Sequence, residues 1–161
     1  MNPKNIFILA CMLVFLACDS GPLRVFVPTT EPEVVIVVRA SATEVSVGDP
    51  VVLFAERWNR GEWKLVERKK LAPQQCWLRH PPSQKEKEVA DNLRWQAFPS
   101  EGARFNTDFR ADHTRVVFFE EPGTYILESS SKIWCVPEKI ARGKPIKIAV
   151  HEHAVPAKTN R

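Results

Sequence analysis

Residues 115–128 read RVVFFEEPGTYILE, and this stretch decides the fold. An apolar run from Arg115 to Phe119 meets a turn at Glu121-Pro122-Gly123 and gives way to a second extended run, Thr124 to Glu128. Proline presets its own φ and glycine accepts φ values that other residues avoid, so the pair marks a reversal between two strands. Toward the N-terminus, Leu93, Trp95 and Ala97 alternate with Arg94 and Gln96, and Val51, Leu53 and Ala55 alternate with Val52 and Phe54. Successive side chains of a strand point to opposite faces, so this spacing predicts one buried face on each. Val34 to Val38 makes a first strand that Glu44 to Val47 continues toward a turn at Gly48-Asp49-Pro50, while Ile146, Ile148 and Val150 mark the last. No segment after Glu33 has an apolar stripe of helical period. Six or so short strands between Pro and Gly turns predict an all-β, antiparallel β-sandwich.

The 161 residues suit one domain. At 44% hydrophobic and 26% charged, the chain is outside the range of wholesale disorder, collagen repeats and multi-span membrane proteins. The 23 Lys and Arg against 19 Asp and Glu leave a charge of +4, too small to call for nucleic acid, and none is expected as a partner.

Lys4 supplies a short positive start, and Ile6 to Ala17 is apolar without a charge. This run falls short of the roughly 20 residues a spanning helix needs, so residues 1–17 read as a signal peptide. Phe15-Leu16-Ala17-Cys18 resembles the bacterial lipobox, with Phe15 where leucine is usual. That resemblance implies cleavage before Cys18 and lipid attachment to its thiol. A plain signal peptide cut near Ala17 and a retained, uncleaved anchor are the alternatives. Residues 18–32, with three prolines, read as lipid anchor and tether, 33–153 as the domain, and 154–161 as a tail. Cys11 leaves with the signal. Cys76 and Cys135 remain as an even pair in an oxidising compartment, where a disulfide is the default.

The segment Val45-Ser46-Val47-Gly48-Asp49-Pro50-Val51-Val52-Leu53-Phe54-Ala55, then Trp95, then Val116 to Tyr125 resembles bacterial immunoglobulin-like and PKD-like domains. The resemblance covers roughly residues 33–151 and places the first segment before and within strand B, Trp95 on strand C and Pro122-Gly123-Thr124-Tyr125 at the start of strand F. It implies a core of Val51, Leu53, Ala55, Trp95, Val117, Phe119, Tyr125 and Leu127. It further implies a tyrosine corner, with the Tyr125 hydroxyl bonded to nearby backbone. Between strands B and C this chain carries a long insertion, residues 56–90, and Pro99-Ser100-Glu101-Gly102 stands where PKD domains have Gly-Asp-Gly.

Arg57 to Val66, with Asn59-Arg60-Gly61 between two Trp-bearing runs, opens the insertion and reads as a hairpin; Gln84 to Glu88 closes it and reads as solvated. In an immunoglobulin-like sandwich the B–C and F–G loops emerge at one end, which would bring Cys76 toward Cys135. Metal ligation by Cys76, His80 and Cys135 is the competing reading, and His151 and His153 alternate as a metal pair or a solvated tail would. Trp58, Trp63, Trp77 and Trp134 belong to the same loop end. Four such rings form either a binding surface or the insertion's own small core. Arg68-Lys69-Lys70 reads as an exposed strand end rather than a phosphate site.

No nucleophile elbow, zinc-protease helix, phosphate loop or thiol pair is present, so no catalytic role, cofactor or metal is expected. The expected function is that of an exported, membrane-anchored lipoprotein facing the periplasm or cell exterior. It would act as a binding or assembly module of the cell envelope and contact another envelope protein through the loop end or a sheet edge. A carbohydrate-binding or adhesin-like module using the tryptophans is one alternative, and a small hydrolase or metal-dependent enzyme within the insertion is another.

Overall fold

The computed structural model describes residues 23–107 and 112–153. The signal peptide, Cys18 and the tail 154–161 lie outside the described residues. Twelve strands run in chain order: β1 Arg24–Pro28, β2 Glu33–Ala40, β3 Glu44–Ser46, β4 Val51–Arg60, β5 Trp63–Glu67, β6 Lys85–Lys87, β7 Arg94–Phe98, β8 Ala103–Phe105, β9 Arg115–Phe119, β10 Gly123–Ile133, β11 Val136–Arg142 and β12 Ile146–His151. Helix is confined to two single 3₁₀ turns, Arg68–Lys70 and Ala90–Asn92, and none of the described helices is long and apolar enough to cross a membrane.

The chain divides into two units. The smaller holds residues 23–29 and 63–81 of those described. In it β1 and β5 pair antiparallel with Arg24 opposite Glu67 and Pro28 opposite Trp63. Phe26 and Leu78 exchange both backbone hydrogen bonds at 2.9 Å, and Val25 and Val27 are fully buried.

The larger unit holds residues 30–62 and 82–153 and contains two five-stranded sheets. One runs β2-β4-β9-β8, with β6 also on β4; the other runs β11-β10-β12-β3, with β7 also on β10. Every pairing is antiparallel except β3 with β12, where Ala149 lies opposite Glu44. Strand β10 organises the second sheet, because β12 pairs with its first half and β11 with its second, while β7 covers Ile126 to Ser130 from the other edge.

The inward faces of the two sheets meet in one apolar cluster. Val51, Leu53, Val117 and Phe119 come from the first sheet, and Ala97, Tyr125, Leu127, Ile148 and Val150 from the second. This is sandwich packing, in which alternate residues of both sheets interdigitate. A second cluster gathers Val34, Ile36, Ala55, Ala90, Leu93 and Ala141. Trp95 packs against both clusters and donates its indole N–H to the Ala90 carbonyl at 2.8 Å. The Phe119 and Tyr125 rings meet at 4.5 Å, and the Tyr125 hydroxyl donates to the Glu121 carbonyl at 3.1 Å, a bond to nearby backbone of the kind the resemblance implied.

Four expectations need correction. Residues 24–28 are strand β1 rather than tether, because Val25 and Val27 bury one face of a paired strand. β3 does not continue β2 but joins the other sheet beside β12. Arg57 to Val66 is not a hairpin: β4 extends through Arg60, and β5 takes β1 as its partner. The insertion is also shorter than residues 56–90. Residues 56–58 still lie in β4, and the charged Lys85–Lys87 pairs with them as β6, its Lys85 ammonium 2.9 Å from the Glu56 carboxylate, which is thereby held below the usual carboxylate range.

The passage from β11 to β12 depends on space at Gly143. A Cβ there would collide with the Ser129 hydroxyl and come within 3.2 Å of Val38 and 3.4 Å of Ile36. Gly143→Ala is expected to lower stability by about 1–3 kcal/mol, the range of core overpacking, seen as a lower denaturant midpoint.

Burial, and then the Glu121 charge, push the Tyr125 phenol above its ordinary value. The native state therefore binds more protons than the unfolded chain at alkaline pH, and stability falls as pH rises past about 10. Tyr125 is the one tyrosine of the chain, so tyrosinate absorbance reads this group alone. It should appear later in the native protein than in denaturant and coincide with alkaline unfolding.

Candidate functional site

β4 buries Val51, Leu53 and Ala55, and the same alternation turns Arg57 inward, leaving it only 7% exposed. On the facing sheet, Tyr125 and Leu127 are followed on the same face of β10 by Ser129 and Ser131. Both inward rows thus change from apolar to polar toward one end of the sandwich. Arg57 crosses that end. Its Nε donates to Asn59 Oδ1 at 2.8 Å, Nη1 to Ser131 Oγ at 2.8 Å, and Nη2 to the Lys132 carbonyl at 3.0 Å.

All three acceptors are neutral. The ion pairs of the described residues do not include Arg57. Burial accordingly presses its pKa down, and the nearby Glu86 charge opposes this. Guanidinium ordinarily titrates so high that the group remains charged at any physiological pH. A guanidinium has five N–H groups, so three are engaged and two remain.

The Trp134 ring lies 4.4 Å from the guanidinium carbon. Its position comes from the shortest kind of hairpin: Ile133 pairs with Val136, leaving only Trp134 and Cys135 in the turn, with Cys135 at φ 62°. Arg57, Ser131, Lys132 and Trp134 border a cavity of about 490 Å³, closed on its other sides by Glu86, Val89, Asn92 and Leu93. Glu86 is tied in through Asn59, whose amide nitrogen donates to it at 3.1 Å. The volume is that of a small-molecule pocket, with apolar walls and a few convergent polar groups.

The sequence reading placed Arg57 at the mouth of a hairpin and missed this role. The available signal was strand parity, since two further residues of β4 carry the inward series from Ala55 to Arg57.

Of the tryptophans expected to form a surface, Trp58 and Trp134 fall in the larger unit and Trp63 and Trp77 in the smaller. Trp58 is 39% exposed with Lys85 4.4 Å over its ring, and Trp77 is 37% exposed with Arg68 at 5.1 Å. Trp63 and Trp134 are half-buried, and the Trp134 indole nitrogen is buried without a hydrogen-bond partner. Cys76 and Cys135 are both disulfide-bonded, which removes the thiolates that ligation with His80 would need. Among the described residues no group of three His, Cys, Asp or Glu side chains is placed to hold a metal ion. No protein-family model, curated protein or solved structure matches the chain.

A buried cation facing neutral acceptors contributes little to stability, because its desolvation offsets the hydrogen bonds it makes. Arg57→Met is therefore expected to change unfolding free energy by less than about 1 kcal/mol in urea melts followed by circular dichroism. The three acceptors it leaves border a cavity that admits water.

Proposed function

We propose that this chain is an exported, lipid-anchored binding module of the bacterial cell envelope, attached through Cys18 and built on an immunoglobulin-like sandwich. The order β2-β4-β9-β8 supports that architecture, since it corresponds to A-B-E-D, and β12-β10-β7 corresponds to G-F-C. On this reading β4 is strand B and β7 strand C, and the segment between them is the insertion. The Cys76–Cys135 bond clamps that insertion to the turn between F and G, which adds stability by restricting the unfolded chain.

The observation that carries a binding role is Arg57, a buried cation at a cavity with hydrogen-bonding capacity left over. A non-catalytic role is supported by the lining itself. Ser131, its one hydroxyl, accepts from Arg57, and no histidine stands beside it to act as base. Contact with another envelope protein is supported by β7, whose pairing among the described residues is with β10 alone, leaving an edge open to strand addition. The exposed faces of Trp58 and Trp77 favour carbohydrate as the second reading, although each ring has a cation over it.

Labelled fatty acid should enter the wild-type protein and be absent from Cys18→Ser, with the label and the protein together in the membrane fraction. Equal labelling of both forms, or recovery of the wild type in the soluble fraction, would sink the anchored reading. Two acyl chains or more are needed for stable residence, so a singly acylated product would also count against it.

A further inference from the structure

The cavity at Arg57 has a charge pattern that selects its ligand. Two cations, Arg57 and Lys132, stand against one carboxylate, Glu86, so the lining carries one positive charge in excess. A monoanion balances it. A dianion such as a phosphate monoester would leave the buried end with surplus negative charge beside Glu86. The remaining two N–H groups of Arg57 suit the two oxygens of a carboxylate, which a guanidinium binds in a planar fork. Val89, Leu93 and the Trp134 ring give the cavity an apolar wall, and the Asn92 amide supplies both a donor and an acceptor.

We infer that this cavity binds a monocarboxylate carrying a compact apolar body, with the carboxylate on Arg57 and the apolar part against Val89, Leu93 and Trp134. The inference rests on the reading of the chain as a binding module and specifies what that module takes. Two sources share this chemistry: a free branched-chain acid, and the C-terminal residue of a partner polypeptide. Asn92 separates them, because only the terminal residue brings a peptide group within its reach.

The experiment uses the purified full-length protein, with 4-methylpentanoate, N-acetyl-leucine and N-acetyl-leucinamide as calorimetric probes. The two acids should bind saturably, and the amide, equal in shape but uncharged, should bind about tenfold to 100-fold more weakly, the worth of a charge-assisted hydrogen-bond pair. N-acetyl-leucine binding should fall by a similar factor in Arg57→Met. Tighter binding of N-acetyl-leucine than of 4-methylpentanoate assigns the site to a chain terminus, and equal binding assigns it to a free acid. The inference is overturned if acid and amide bind alike, or if neither acid saturates by about 10 mM. The amide comparison is made on the wild type and stands whether or not Arg57→Met folds. Either negative result would remove this ligand class and leave the anchoring reading to the Cys18 labelling, which does not involve the cavity.

Discussion

The pleat of β4 is the constraint on which the larger unit depends. Because consecutive side chains leave a strand on opposite faces, one register sends Val51, Leu53, Ala55 and Arg57 inward together. The first three meet the facing sheet as ordinary apolar packing, and Val51 and Leu53 are fully buried. The fourth brings a charge to the same depth. A slip of one residue would expose the valine and leucine and would also withdraw Arg57 from Ser131, so core and cavity share a single determinant.

The opposite sheet answers that gradient. Along β10 the inward row passes from Tyr125 and Leu127 to Ser129 and Ser131, and the change of character falls where β11 replaces β12 as the neighbouring strand. Gly143 lies at that replacement and donates its amide to the Ser129 carbonyl at 3.0 Å. The two strands can follow one another along a single edge of β10 because nothing larger than hydrogen occupies Gly143 where the chain passes Ser129 and Val38.

Cations over rings recur through the chain: Arg39 on Phe54, Lys85 on Trp58, Arg104 on Phe118 and Arg57 on Trp134 in the larger unit, and Arg68 on Trp77 in the smaller. At exposed positions each such contact is worth about 0.5–1 kcal/mol, and more where water is excluded. Arg57 differs from the others by its burial. Its ring partner helps replace lost hydration without neutralising the charge, so the group stays available to an anion.

Strands whose faces are marked by alternation were legible in the sequence by itself: Val51 to Ala55, Leu93 to Ala97, Arg115 to Phe119, Thr124 to Glu128 and Ile146 to Val150 all stand where period two placed them. Local pattern suffices there, since one face of each strand must leave water. The core tyrosine and the sandwich class followed from the same pattern. What only the tertiary structure decided is which segments pair: β1 with β5, the charged β6 with β4, and β3 beside β12. Such pairings are set by backbone hydrogen bonds between distant segments, which carry no side-chain signature, so Lys85–Lys87 read as solvent and residues 24–28 as tether. Arg57 is the clearest case, because its residue type argues for the surface and only the length of β4, fixed by its partners β2 and β6, turns it into the cavity.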